Sequence, residues 1–316
     1  KNLRKIYFHV ITLCNFLQYI MTMHKTHTEI GFIGLGIMGK PMVLNLIKAG
    51  FKIHFYARKR TIIKDVKKHG GIFHNKINLI AKHCNIIFLN LPDGKDVEEV
   101  ICKKNNLWSS LHPNTIIIDM STISPKKTIQ LHNKLKEKKS WLLDCPVSGG
   151  EIGAKKGKLS IMVGGEKKIF NKIKKLLQTL GDKITYIGKS GSGQITKACN
   201  QILVASTMIA VSEILLLAEK SKTDRKLVQS ALLGGFANSK ILEIHGKRMI
   251  ENNYKPGFKA SLHLKDLKIA MKLSRDLNLK LKSANLSKSL IQKANDKKYQ
   301  NLDSSVVNKI IKLIKK

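Results

Sequence analysis

Three glycines, Gly34, Gly36 and Gly39, stand between a short apolar run, Ile30-Gly31-Phe32-Ile33, and a helical one, Met42 to Ala49, which Gly50 closes. A second apolar run, Ile53 to Tyr56, follows directly. Strand, Gly-x-Gly-x-x-Gly turn, helix and strand in that order leave few folds open, because each glycine meets a separate demand. Gly34 permits a tight turn, Gly36 lets backbone approach a pyrophosphate, and Gly39 lets helix and strand pack closely. The helix then starts where the phosphates would lie, and its amides and partial positive charge favour an anion there. Gly34, Leu35, Gly36, Ile37, Met38 and Gly39 are therefore candidate contacts for a dinucleotide.

Alternation continues down the chain. A helix is expected near Asn75 to His83, a strand from Asn85 to Leu91 ended by Pro92, and a helix from Asp96. The strand Thr115 to Met120, the helix Pro125 to Lys139 and the strand Trp141 to Asp144 come next. Leu159 to Val163 and Ile184 to Ile187 read as strands around a helix from Lys168 to Leu180. Branched apolar strands between helices predict an α/β architecture with a largely parallel, doubly wound sheet of the Rossmann type. Ligands in such sheets bind outside the carboxyl ends of the strands. That rule singles out Leu91-Pro92, Ser121-Thr122 and Pro146-Val147-Ser148-Gly149-Gly150. In the last segment a hydroxyl and two glycines offer backbone N–H groups to a small anion.

The end of the second strand bears on cofactor choice. A carboxylate there would bind the adenosine ribose and favour NAD. The chain instead reads Tyr56-Ala57-Arg58-Lys59-Arg60, so Arg58, aided by its basic neighbours, is expected to pair with a 2′-phosphate. NADP(H) is favoured and NAD(H) stays open, since basic residues are common everywhere in this chain.

Gly193-Gln194-Ile195-Thr196-Lys197-Ala198-Cys199-Asn200-Gln201 opens the longest apolar helical run. Lys197, Asn200 and Gln201 share one helix face at i, i+3 and i+4, an arrangement suited to a carbonyl substrate. Gln201 to Ala218 is apolar enough to suggest a membrane span, but Glu213 and several hydroxyls interrupt it and no charge asymmetry flanks it. It is expected to be a buried helix joining two domains. Only helices and turns are expected beyond it, including Arg225 to Leu233, Ser239 to Ile250, His263 to Asp276 and Val306 to Lys315. The domains are thus drawn as 29–191, which binds the nucleotide, and 192–316, all-α, which carries the substrate face. Residues 1–28 have a basic start, an apolar centre and no small-x-small cleavage pattern, and are expected to be an extension outside the fold.

The 316 residues carry 58 Lys and Arg against 21 Asp and Glu, a formal charge of +37. Lysines are spread over both halves, so the charge reads as compositional drift, with only weak, salt-sensitive binding to polyanions expected. No specific nucleic acid and no membrane is expected as a partner. Cys14, Cys84, Cys102, Cys145 and Cys199 form no Cys-x-x-Cys and meet no His at ligand spacing. Free thiols, a reducing cytoplasmic location and no metal site are expected.

Four segments in one order resemble the β-hydroxyacid dehydrogenase family: Phe32 to Met42, Asp144 to Ala154, Gly193 to Asn200, and Lys265-Asp266-Leu267. The resemblance spans about residues 29 to 312. It implies an oxidoreductase that moves hydride between a nicotinamide cofactor and a hydroxyacid or semialdehyde, as a homo-oligomer. Lys197 matches the catalytic lysine and Asn200 the amide that holds the substrate. Ser148, Gly149 and Gly150 match the loop for the substrate carboxylate. Thr122 matches a residue at the nicotinamide end, and Lys265 a lysine that closes over cofactor and substrate. Gly234 to Met249 and Lys255 to Lys259 are most similar to the branch that reduces tartronate semialdehyde (2-hydroxy-3-oxopropionate) to D-glycerate in glyoxylate metabolism. Substrates of other branches, 3-hydroxyisobutyrate, succinic semialdehyde and glyoxylate, remain alternatives, and a non-catalytic, nucleic-acid-associated member is a remote one. The chain departs from the family at Val43, Ala57, Lys158 and Ser304, none of which is a catalytic position.

Overall fold

The computed structural model describes residues 28–314. The expectation that the N-terminal stretch lies outside the fold falls on residues 1–27, outside the described range, as do Cys14 and Lys315. Two compact units emerge. One contains the described residues up to Ser121 together with Lys127–Ser190, and the other contains Thr122–Lys126 and the chain from Gly191 onward. The boundary drawn from the sequence did not include Thr122–Lys126 in the second unit.

The first unit begins with β1 (Glu29–Ile33), α1 (Gly39–Lys48) and β2 (Lys52–Tyr56). It continues with α2 (Arg60–Lys68), β3 (Ile72–Phe73), α3 (Ile77–His83), β4 (Ile86–Leu89) and α4 (Gly94–Cys102). Then come β5 (Ile116–Asp119), α5 (Pro125–Lys136), β6 (Trp141–Asp144), β7 (Val147–Ser148), α6 (Gly150–Lys156), β8 (Ser160–Gly164), α7 (Lys167–Leu177) and β9 (Lys183–Gly188). The sheet runs β3-β2-β1-β4-β5-β6-β8-β7, with β9 beside β8. Pairing is parallel from β3 through β6. β8 is antiparallel to both β6 and β7, and β9 runs with β8. The parallel strands are buried on both faces, which is why Ile30, Phe32, Ile87, Phe88, Ile117 and Ile118 leave almost no surface. Phe32 and Phe88 stack at 5.6 Å between centroids, and Met42, Val43 and Leu46 bury one stripe of α1 against that core.

Four elements depart from the sequence reading. α1 begins three residues before Met42, at Gly39 itself. α2 and β3 were not anticipated: the basic run Arg58 to Arg60 masks the stripe Ile62, Ile63 and Val66, which packs on the core. The segment after Ser148 turns directly into α6, although Gly149 and Gly150 read as loop.

In the second unit, α8 (Ser192–Lys220) is followed by α9 (Arg225–Leu233), a π segment (Leu242–Gly246) leading into α10 (Lys247–Ile250), α11 (Ala260–Asp276), α12 (Lys282–Ala294) and α13 (Val307–Leu313). Among the described residues its only strand-like pairing is one isolated bridge, Lys259 with Asp303. By length and composition α8 is apolar enough to cross a membrane. Here Ala205, Met208, Ile209, Val211 and Leu215 supply instead the centre of a core shared with Leu264 and Leu267 of α11, Leu290 and Ile291 of α12, and Ile310 and Ile311 of α13. The described cysteines, Cys84, Cys102, Cys145 and Cys199, are free thiols.

Candidate active site

The glycine turn lies between β1 and α1. Gly34 has φ +99°, and a Cβ there would lie 2.3 Å from the Asn90 carbonyl oxygen. A Cβ on Gly39 would lie 2.1 Å from the Gly34 carbonyl oxygen, so helix and turn could not approach as they do. Gly36 differs: a Cβ there would meet nothing within 4 Å. Two glycines are thus required by contacts within the chain, whereas the third keeps open a space that the chain does not fill. α1 starts above that space with no acidic residue in its first turn and no side chain capping it, leaving amide donors for phosphate oxygens. These features fit a dinucleotide. Leu35 is buried in the core and can offer only backbone, while Ile37 is exposed.

The other first-unit candidates sit at the same edge of the sheet. Arg58 is exposed just past β2, with Ala57 packed inward against the core. The Leu91 amide donates to Ser121 Oγ at 2.9 Å, joining the ends of β4 and β5, and Pro92 is exposed beside it. β7 continues in the direction of β6, because both are antiparallel to β8. Ser148 therefore leaves the sheet at the edge that carries the glycine turn. Gly149 (φ +130°) and Gly150 (φ +61°) follow it, both exposed.

In the second unit, Lys197 is only 7 % exposed. Its Nζ donates to Gln201 Oε1 at 3.0 Å, one turn further along α8. The same oxygen accepts from Asn200 Nδ2 at 2.7 Å. Gln201 Nε2 donates to Asp266 Oδ2 at 2.7 Å, and Lys265 Nζ lies 3.0 Å from Asp266 Oδ1. Lys265 Nζ also donates to the Thr122 carbonyl at 2.5 Å. The Ile123 amide donates to Gln194 Oε1 at 3.1 Å, so Thr122–Lys126 is strapped to both α8 and α11. The buried His263 donates from Nε2 to the Gln201 carbonyl at 3.2 Å. That contact fixes the proton on Nε2, because a carbonyl only accepts.

Electrostatics follow from this packing. Burial pulls the Lys197 ammonium down to about 8; the Asp266 carboxylate opposes the fall and the Lys265 charge adds to it. One unit above neutral still leaves roughly nine lysines in ten protonated at pH 7. Burial likewise lowers His263 to about 4, so it is neutral there. The result is a cation inside the protein that can give up a proton at little cost. Gln201 occupies one of its three donors.

Comparison with known proteins bears on both units. The family model described as the NAD binding domain of 6-phosphogluconate dehydrogenase matches residues 29–188. The model described as NAD-binding of NADP-dependent 3-hydroxyisobutyrate dehydrogenase matches residues 191–311. The chain is 44 % identical over 253 residues to 2-hydroxy-3-oxopropionate reductase of Escherichia coli, covering 80 % of this chain and 86 % of that protein. The chain belongs to the β-hydroxyacid dehydrogenase family. It is an NAD(P)-dependent oxidoreductase acting on CH–OH. Another β-hydroxyacid dehydrogenase, the probable 3-hydroxyisobutyrate dehydrogenase-like 1 of Arabidopsis thaliana, is 32 % identical over 266 residues, 84 % of this chain and 79 % of that one. Among solved structures, Mycobacterium tuberculosis 3-hydroxyisobutyrate dehydrogenase with L-serine superposes with a TM-score of 0.81 at 29 % identity, covering 90 % of this chain and 99 % of that one.

Within this β-hydroxyacid dehydrogenase, sequence reading gave no role to Asp266 or His263, and it put Gln201 on the substrate face rather than between Lys197 and Asp266. Gln201 had a signal, its i+4 relation to Lys197. Asp266 lies 65 residues from Gln201, and only folding shows that its carboxylate accepts from Gln201 and acts on the charge of Lys197. The segment Lys255 to Lys259, singled out by resemblance, is held by the buried Asp303, whose Oδ2 accepts from the Gly257 and Phe258 amides at 3.2 and 3.0 Å.

Proposed function

We propose that this dehydrogenase reduces tartronate semialdehyde to D-glycerate, reversibly, with Lys197 as general acid. The observation that carries the reading is Lys197 itself, a buried ammonium anchored by Gln201 and lowered to about 8. The choice of substrate is supported by the 44 % identity to 2-hydroxy-3-oxopropionate reductase.

The nicotinamide cofactor, when bound, supplies hydride to the aldehyde carbon. Gly34 to Gly39 would hold its pyrophosphate, with Leu91, Pro92, Thr122 and Lys265 toward the nicotinamide end and Arg58 on a 2′-phosphate. NADP(H) is preferred on the charge of Arg58. As the C=O π bond breaks, negative charge gathers on oxygen; the Lys197 ammonium stabilises it and transfers one proton, leaving an alcohol and a neutral amine. With a pKa near 8, that amine regains its proton from water at neutral pH. Asn200 would orient the substrate, and Ser148, Gly149 and Gly150 would bind its carboxylate through hydroxyl and backbone donors.

This substrate points to glyoxylate metabolism in the cytoplasm. A homo-oligomer built through the helical unit is supported by exposed apolar side chains such as Leu203, Leu217 and Phe236. The second reading keeps the mechanism and changes the substrate to 3-hydroxyisobutyrate, in line with the matches to such enzymes. Steady-state kcat/KM with a panel of semialdehydes and hydroxyacids, each with NADPH and NADH, separates them. The proposal requires tartronate semialdehyde to lead by at least about tenfold, or about 1.4 kcal/mol, and fails if another substrate does.

A further inference from the structure

At the opposite end of β1 from the glycine turn, the first unit holds a second cluster of ionisable groups. Glu29 opens β1, His54 lies in β2 and His83 ends α3. One donor atom from each lies within 4.8 Å of the others. His54 Nε2 stands 3.3 Å from Glu29 Oε2. Ligands arranged tetrahedrally around zinc, with bonds of about 2.1 Å, are about 3.4 Å apart, so this pair already has the required spacing. His83 is exposed at the end of its helix and is the member best able to move inward.

The state of His54 sharpens the case. Its side chain is 5 % exposed, and Nε2 makes no hydrogen bond although a carboxylate oxygen is beside it. The other ring nitrogen, Nδ1, is 2.8 Å from His74 Nε2. With Nδ1–H donating to His74, the Nε2 lone pair faces the Glu29 carboxylate, the arrangement a cation between them would satisfy; with His74 donating instead, Nε2 carries the proton. The imidazoles of His54, His74 and His83 also stack pairwise at 5.1 to 5.2 Å, which sets their rings side by side.

We infer that Glu29, His54 and His83 form a three-ligand site for a borderline-soft divalent cation such as zinc, completed by water. His74 stands behind His54 as the partner that fixes its tautomer. Lys52 pairs with the other oxygen of Glu29, leaving Oε2 for the metal. Sequence reading expected no metal, because the ligands are 25 and 29 residues apart and form no linear motif. The site is structural. It lies about 16 Å from Gly34 along β1, at roughly 3.3 Å per residue, and it ties the start of β1, the middle of β2 and the end of α3 together.

The test uses tag-free, chelator-stripped full-length protein titrated with Zn²⁺ by calorimetry, with Co²⁺ as a spectroscopic probe. One zinc should bind per chain, Tm should rise with the logarithm of free zinc, and Co²⁺ should give the visible spectrum of a four-coordinate ion. His83→Ala, at an exposed position, should keep its far-UV circular dichroism and lose at least about tenfold in affinity. His74→Ala should weaken binding by about 10–100-fold, the range for a residue supporting a ligand. Absence of stoichiometric binding overturns the inference, and so does wild-type affinity in His83→Ala, which would assign the metal to thiols instead. Turnover should survive stripping; its loss would overturn the structural role.

Discussion

The glycine turn of the first unit and the lysine cluster of the second are built from opposite materials. The turn is six consecutive residues whose useful groups are backbone, and the chain's own contacts require two of its three glycines. The cluster is side chains from two helices, linked by hydrogen bonds from Lys197 through Gln201 to Asp266. A site of the first kind tolerates changes of charge and fails when volume is added. One of the second kind tolerates small changes of volume and responds to every change of charge nearby.

The largest effect should come from Lys197→Ala. Loss of the proton donor should lower turnover by about 10²–10⁴-fold, the usual contribution of general acid–base catalysis. Fluorescence titration should find NADPH affinity within about twofold of wild type. A variant keeping a tenth of its turnover would break the division between a binding unit and a chemical one.

Volume should act next, on the turn. Gly36→Val should leave Tm within about 2 °C and weaken cofactor by at least about tenfold, or 1.4 kcal/mol. Gly39→Ala should lower Tm as well, since its Cβ would meet the Gly34 carbonyl at 2.1 Å. Equal Tm values for the two variants would contradict the separate roles given to these glycines.

Arg58→Ala should weaken NADPH by about tenfold and leave NADH unchanged, since a charge-assisted hydrogen bond contributes about 1.5–3 kcal/mol. Equal losses with both cofactors would remove Arg58 from the 2′-phosphate.

The smallest effect is a displacement in pH. Reduction needs the charged lysine, so kcat should fall as pH rises through about 8. The Asp266 carboxylate raises that value, so Asp266→Asn should move the falling limb to lower pH while Asn still offers an oxygen to Gln201. Lys265→Gln removes a charge that lowers it and should move the limb upward. Limbs that stay in place would show that Lys197 does not set the profile.

Much of this was legible in the sequence for a physical reason. Gly34 to Gly39, the buried branched strands and the i, i+3, i+4 face of Lys197, Asn200 and Gln201 are local patterns, and local sterics decide them. What escaped was non-local or masked. Asp266 and Gln201 meet only when α11 packs on α8. Glu29, His54 and His83 meet only when α3 covers the edge of β1 and β2. α2 was masked by its basic residues and α6 by its glycines. The reversal of β8 and β9 leaves no mark in either strand, because the period-two pattern of a strand reads alike in both directions.

Thr122–Lys126 has a last consequence. The chain passes from one unit to the other after Ser121, returns after Lys126, and leaves again after Ser190. A fragment beginning at Gly191 would therefore lack the Ile123 amide that Gln194 accepts and the Thr122 carbonyl that Lys265 binds. The helical unit is not an exchangeable cassette. A chimera that grafts it onto a relative must carry these five residues too, so a single crossover cannot exchange the unit intact, in the laboratory or in evolution.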